Sequence, residues 1–278
     1  MGEKEEEDMS LQIGCQTYTW EMLGEKWTGT QEKIVDLIAS AGYEGVEFST
    51  AMMGRYLEAP DAFQRMVEGK GLSVAALAYA RDGFTDEMRF MDDLAGAKKA
   101  LLFCSELGVP LCLGGPAAQE EEDKDEKMTR AVRFYRTVAE MGAQRDVTVC
   151  VHPHSHHGSL VESAEEYDQL LSLTEACGLR FNPDAGHIVR GGQDLLDCVE
   201  RHADKIVHVH VKDVDEKGRW KTLGDGVIRW EAFFETLERV GYEGWIVAEE
   251  ESALAKRSQK KAIKKNREYL RSLGPMFE

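Results

Sequence analysis

Eight times along this chain, a short apolar stretch with the two-residue alternation of a β-strand gives way to a longer one whose apolar residues have helical spacing. The strand-like stretches are 11–18, 42–49, 72–78, 110–113, 147–152, 179–182, 206–213 and 245–249, with 42–49 opening on a turn. The helix-like stretches are 31–41, 60–70, 85–107, 120–145, 163–177, 195–202, 228–240 and 252–273. Ser163, with Glu166 three residues on, reads as a capping box. Alternation of this kind implies parallel strands with helices outside. Eight units in 278 residues predict an α/β fold, a single (β/α)8 TIM barrel over 10–278 behind an acidic, disordered tail at 1–9. The rival is a doubly wound open sheet, but no GxGxxG or Walker glycine loop follows any strand.

A hydrophobic content of 42% suffices for the core of one such domain. There is no apolar run of about 18 residues and no secretory leader pattern, so a cytoplasmic protein with no membrane partner is expected. The net charge of −17 argues against nucleic acid, whose phosphates need a positive surface, though a few local cations can still hold a small anion. Cys15, Cys104, Cys112, Cys150, Cys177 and Cys198 lack the paired short spacings of a disulfide framework or a thiolate zinc knot. They read as small buried apolar residues. The lysine-rich 256–265 reads as the solvated face of the last helix.

The seventh strand-like stretch is IVHVHVKD. Alternation puts Val207, Val209 and Val211 on one face and Ile206, His208 and His210 on the other. The fifth repeats the pattern, with Val147, Val149 and Val151 opposite Thr148, Cys150 and His152. In a barrel of this class the active site lies at the C-terminal ends of the strands. Gathering the polar residues found there brings together Glu47, His152, His154, Asp184, His187, His210, Glu249 and Glu251. Unpaired, such groups would each cost several kcal/mol to bury in a narrow barrel. A divalent cation resolves the conflict: nitrogen and oxygen donors suit Mn²⁺ or Co²⁺ first, with Zn²⁺, Fe²⁺ or Mg²⁺ as alternatives.

The segments GYEGVEFS at 42–49, NPDAGH at 182–187, HVHVKD at 208–213 and LGDGVIRWEAFFETLERVGYEGWIVAEEE at 223–251 resemble the xylose isomerase-like barrel superfamily of sugar isomerases and epimerases. The resemblance covers nearly the whole chain after the acidic tail. It implies a metal held by a Glu ending strand five, an Asp in a D-x-x-H motif after strand six, a His ending strand seven and a Glu ending strand eight. By motif, the last three are Asp184, with His187 as its partner, His210 and Glu249. Strand five departs from the pattern, since His152-Pro153-His154 stands where the family has E-N-H. This histidine-rich strand, the GDG loop and the GYEGWIVAEEE ending are similar to the inosose dehydratase branch. His152 is then the expected fourth ligand, through a neutral imidazole.

The chemistry implied is removal of a proton α to a carbonyl, with the enediolate stabilised by the ion. Glu249 is the expected base, with His152, His154 and His187 as further proton-handling residues. Returning the proton gives a metal-dependent isomerase or epimerase acting on a keto-sugar or polyol-derived ketone. Loss of a β-hydroxyl gives instead an inosose dehydratase-like lyase. A barrel that binds a ligand without turnover is a third reading. An endonuclease resembling the abasic-site branch needs early histidine ligands, and no histidine precedes His152. Glu47, Trp20, Lys212 and Glu251 are the expected substrate contacts, the last two also orienting or protonating leaving oxygens. Arg190, Arg219 and Lys221 are candidates for holding a phosphate. The partner expected is a sugar or cyclitol, with a homo-oligomer left open.

Overall fold

The computed structural model describes residues 11–81, 87–115, 124–274 and 277. Eight strands form one parallel sheet: β1 Gln12–Gln16, β2 Gly45–Ser49, β3 Ser73–Tyr79, β4 Leu111–Gly114, β5 Val149–His152, β6 Arg180–Phe181, β7 Val209–Val211 and β8 Trp245–Ala248. They hydrogen-bond in the order β6-β5-β4-β3-β2-β1-β8-β7. Two parallel bridges, Phe181 with Ile206 and Asp184 with His210, join β6 to β7 and close the circle. The fold is the TIM barrel that the alternation predicts. No helix of the described residues is long and apolar enough to cross a membrane.

The period of two divides each strand between two environments. Val46, Phe48, Leu77, Leu111, Leu113, Val149, Val151, Phe181, Val209, Val211 and Ile246 share a core with helix residues such as Ile34, Ile38, Phe63, Leu101, Phe134 and Phe233. Each such fully buried side chain contributes roughly 1.5–3 kcal/mol. Ala76, Cys112 and Cys150 form a separate small cluster. Small side chains suit a narrow barrel interior and leave room for polar groups at its C-terminal end. The register of β2 on β3 shifts between Val46 and Glu47, a local irregularity of the kind that re-aims side chains beside active sites.

The differences from expectation have local causes. Strand seven is shorter than 206–213, and its alternation fails at the start: Ile206 joins the outer core, while Val207 packs on the interior cluster. The loop after it contains an antiparallel pair, Asp213–Val214 with Trp220–Lys221. A six-residue helix, Ala185–Arg190, is too short to show periodicity. The last helix is two, Ala253–Arg257 and Gln259–Ser272, broken where Ser258 takes an extended conformation. The capping box at Ser163 and Glu166 is formed. All six cysteines are free and five are buried. The tail at 1–9 and the start of the 120–145 helix lie outside the described residues.

Candidate metal centre and active site

Four side chains from four consecutive strand ends, His152, Asp184, His210 and Glu249, converge with one ligand atom each, all within 4.8 Å of one another. All four are buried. His152 Nε2 lies 3.4 Å from Asp184 Oδ2, and His210 Nδ1 lies 3.0 Å from Glu249 Oε2. Burial opposes a charge on His210, but Glu47 and Glu249 overcome it and raise its pKa to about 10, so a bound ion would take the place of the Nδ1 proton. Two imidazoles and two carboxylates, with no thiol among them, suit a divalent ion such as Mn²⁺, Co²⁺, Fe²⁺ or Zn²⁺.

The groups beneath the cluster support that fit. His210 Nε2 lies 3.0 Å from Glu47 Oε2, so a proton there leaves the Nδ1 lone pair facing the cluster, the carboxylate–histidine arrangement that orients metal ligands. His208 Nε2 lies 2.7 Å from the same oxygen. Burial outweighs Glu47 in depressing the basicity of His208, which fits a neutral ring donating one N–H. Burial alone would raise the Glu47 carboxyl, but His210 and His208 hold it well below the usual range. Glu47 was expected to contact substrate. It is instead 0% exposed and lines no part of the cavity, with its Oε2 against His208 and His210 beneath the cluster.

Lys212 is 1% exposed, with Nζ 2.6 Å from Glu249 Oε1, 2.5 Å from Glu251 Oε1 and 3.9 Å from Asp184 Oδ2. Burial would depress its pKa, but these carboxylates raise it. In turn Lys212 and His210 keep the Glu249 carboxyl well below its ordinary range, against the effect of burial. Lys212 therefore sets the orientation of two carboxylates from behind the wall and is not itself a wall residue. Its Nζ also lies 3.1 Å from His187 Nε2, and the Trp220 ring sits over both, 4.6 Å from Nζ and 4.8 Å from the His187 ring. Burial and Lys212 push His187 well below its usual pKa, and burial with His152 does the same to His154.

The motifs acquire local reasons. Asp184 is the N-cap of Ala185–Arg190: its Oδ1 accepts the His187 N–H at 2.8 Å, leaving Oδ2 for the cluster. The D-x-x-H spacing is thus the spacing of a helix cap. Asp213 is buried and gathers the loop after strand seven, accepting N–H bonds from Val214, Gly224, Gly226 and the Trp230 indole at 2.9–3.1 Å. Gly224 has φ +82°, and a Cβ on Gly226 would lie 2.0 Å from Asp213 Oδ1, so both glycines of the GDG segment are required.

After β5 the chain is clamped by Glu162. Its carboxylate accepts the Ser155 hydroxyl and the N–H groups of His157, Gly158 and Ser159, with His157 and Gly158 at positive φ. Ser155 N–H in turn donates to His187 Nδ1 at 2.8 Å. Burial opposes the charge on Glu162, but these donors lower its pKa. Glu162→Gln turns an amide NH₂ toward N–H donors. The expected result is faster hydrogen exchange over 153–160, with a loss of about 1–3 kcal/mol of global stability. Unchanged exchange there would remove the clamp.

The cavity above the cluster is lined on one side by His152, His154, His156, His187, Glu249 and Glu251, and elsewhere by Gln16, Tyr18, Glu21, Ser49 and Thr50. Ala51, Ala78, Ala80, Cys112 and Gly114 supply a small apolar surface. Trp20, expected as a substrate contact, is 0% exposed and packs against Trp27. The polar residues at and after the end of β1 that do reach the cavity, Gln16, Tyr18 and Glu21, were missed, although the strand-end rule applied to β1 points to them. The three cations considered for phosphate do not line it. Arg219 and Lys221 pair with Asp215, and Arg190 stacks on Trp220 with 4.7 Å to the ring centroid.

A closed eight-stranded parallel barrel with histidine and carboxylate side chains clustered at its C-terminal mouth defines an α/β barrel with a candidate metal centre. The chain belongs to the xylose isomerase-like TIM barrel family, whose model matches residues 35–273. It is 28% identical over 255 residues to an inosose dehydratase of Yersinia enterocolitica, covering 80% of this chain and 83% of the relative. Among solved structures, the IolI protein with a bound zinc atom superposes with a TM-score of 0.78 at 16% identity, over 95% of this chain and 98% of the other. D-psicose 3-epimerase with D-tagatose, from Clostridium cellulolyticum H10, superposes with a TM-score of 0.74 at 17% identity, over 93% and 99%. At these identities the two structures share the fold with this chain. The family takes its name from an isomerase, and the relatives that this chain resembles include inosose dehydratases.

Proposed function

We propose that this chain is a divalent-metal-dependent lyase that eliminates water from a keto-polyol of the cyclitol class. The observation that carries the reading is residue 152, where a histidine joins the cluster in the place of a strand-five carboxylate. Epimerisation by two metal-side carboxylates needs one on each face of the substrate. Here Asp184 is committed to a helix cap, and Glu249 is the one cluster carboxylate that lines the cavity. One base suffices for elimination. The likeness to inosose dehydratases over most of the chain supports the same choice.

In this reading His152, Asp184, His210 and Glu249 hold the ion, which when bound draws electron density from the substrate carbonyl and acidifies the neighbouring C–H. Glu249 takes the α-proton on its carboxylate, held in place by Lys212 at 2.6 Å. The apolar surface of Ala51, Ala78 and Ala80 packs against the C–H face of the ring. Trp220 packs against the His187 ring and lies over Lys212 Nζ, which helps hold both in place. A single-base isomerase is the second reading, favoured by the same Glu249 returning the proton to the adjacent carbon on one face.

Incubation of the protein with Mn²⁺ or Co²⁺ and scyllo-inosose is expected to produce the ultraviolet absorbance of an enolised 1,2-diketone. No absorbance, together with rapid α-proton exchange of ketoses in D₂O, selects the isomerase. Neither signal, with no bound divalent ion and no thermal stabilisation by Mn²⁺, sinks both readings.

A further inference from the structure

Hydroxide is a poor leaving group near neutral pH, so an elimination of this kind needs a proton donor beside the departing oxygen as well as a base at the α-carbon. The donors expected from sequence do not serve. Lys212 lies behind the wall with its ammonium committed to Glu249 and Glu251, and Glu251 receives that ammonium at 2.5 Å. His154 Nε2 faces His152 Nδ1 at 3.1 Å, and the two ring nitrogens of His187 face Ser155 N–H and Lys212 Nζ, so His154 is tied to His152 and His187 has no nitrogen free for a departing oxygen. Burial and Glu251 push the Tyr18 phenol up to about 12.

We infer that Glu21 is the general acid that hands its proton to the departing β-hydroxyl, an inference that rests on the lyase reading. Glu21 ends the short helix Tyr18–Glu21 that follows β1, and its carboxyl is part of the cavity wall. In the barrel order β1 stands opposite β5, and Glu21, beyond the end of β1, lines the same cavity as His152 and His154. One oxygen is fixed by the Ser49 hydroxyl at the end of β2, which aims the group. Glu21 also lines the outer groove that leads from the cavity past Tyr79 and Arg81, a route by which solvent can restore its proton. The groups around it are Ser49, Tyr18, Glu249 and Arg81. Burial raises its carboxyl above the ordinary range; the Ser49 hydrogen bond opposes this, Glu249 adds to it and Arg81 opposes it.

The step balances without any redox partner. Glu249 takes the α-proton reversibly, the C–H electron pair passes into the enolate of the neighbouring carbonyl, and from there it forms the double bond between the α- and β-carbons. The β-carbon–oxygen bond breaks, and the hydroxide leaves with the Glu21 proton as water. The enol so formed tautomerises to the 1,2-diketone, Glu249 releases its proton to solvent, and Glu21 regains one from solvent.

The test compares Mn²⁺-loaded wild type with Glu21→Gln and Glu21→Asp on scyllo-inosose and on its analogue carrying fluorine at the departing position, since fluoride leaves without a proton. Glu21→Gln is expected to lose about 100-fold or more in kcat on the hydroxyl substrate. It is expected to keep KM, metal content and α-proton exchange in D₂O, and to eliminate fluoride at close to the wild-type rate. Glu21→Asp is expected to recover part of the loss. A variant that eliminates water at the wild-type rate overturns the assignment, and so does one that loses exchange and fluoride elimination in equal proportion. A wild type that exchanges the α-proton but never eliminates overturns the lyase reading and the role of Glu21 with it.

Discussion

Replacing His210 with alanine is expected to abolish tight divalent-ion binding and to leave a less stable barrel. The imidazole has two duties in the structure, with Nδ1 facing Glu249 in the four-residue cluster and Nε2 at 3.0 Å from Glu47. Its loss takes one donor from a candidate set of four. It also leaves the fully buried Glu47 carboxylate with His208 as its remaining imidazole partner, and removing one partner of a buried charge pair costs about 3–5 kcal/mol. The measurement is metal content after dialysis, paired with thermal melts with and without Mn²⁺. Wild type at 100 times its dissociation constant gains about 2.7 kcal/mol from the ion, and the variant gains nothing. A variant that retains stoichiometric metal would remove His210 from the ligand set. Glu47→Gln separates the two duties: it keeps all four donors, lowers metal affinity by about 10–100-fold, and so reports on orientation alone.

The second large effect is at Asp213, which touches neither the cavity nor the cluster. Its two oxygens accept four N–H groups at 2.9–3.1 Å, with Ile228 N–H at 3.5 Å, and all of these belong to the loop and helix start after strand seven. Asp213→Ala leaves them without an acceptor in space closed to water, for a loss of about 3–5 kcal/mol. In a chain of this size that lowers Tm by about 10 °C. The same loop carries Trp220 over His187 and Lys212, so catalytic turnover should fall further than stability explains. Asp213→Asn keeps one carbonyl oxygen and is expected to show a smaller drop in both. Full activity in Asp213→Ala at a temperature where it remains folded would separate the loop from the reaction.

The alternation that predicted the barrel was legible because each strand divides between two environments, and burial writes that division into side-chain size and polarity. The four candidate metal donors were legible for a related reason. Each stands at the end of a strand, and a parallel barrel carries all its strand ends to one mouth. Inward-pointing side chains below the mouth were read less well. Glu47 stands near the end of a strand on the inner face and so promised a substrate contact, and only its hydrogen bonds with His208 and His210 show it lying beneath the cluster. Trp20 packs inward, while its neighbours Tyr18 and Glu21, one turn of a four-residue helix, are the ones on the cavity wall. Lys212 follows the inner-face alternation of His208 and His210 and so promised contact with substrate. The carboxylates of Glu249 and Glu251 draw its ammonium behind the wall instead.

Residue order by itself determined the architecture, the mouth at which polar groups collect, and the substitution of histidine for carboxylate on strand five. These are one-dimensional facts about period and position. The tertiary structure alone decided which of the collected groups touch one another. It put Glu47 under His210 and Glu162 under the histidine loop, set Asp213 at the hub of the loop after strand seven, and opened Glu21 to the cavity. Those partnerships join residues from 1 to 163 positions apart. They depend on angstrom-scale register and on the competition of neighbouring charges for the same oxygen, which no periodicity along the chain records.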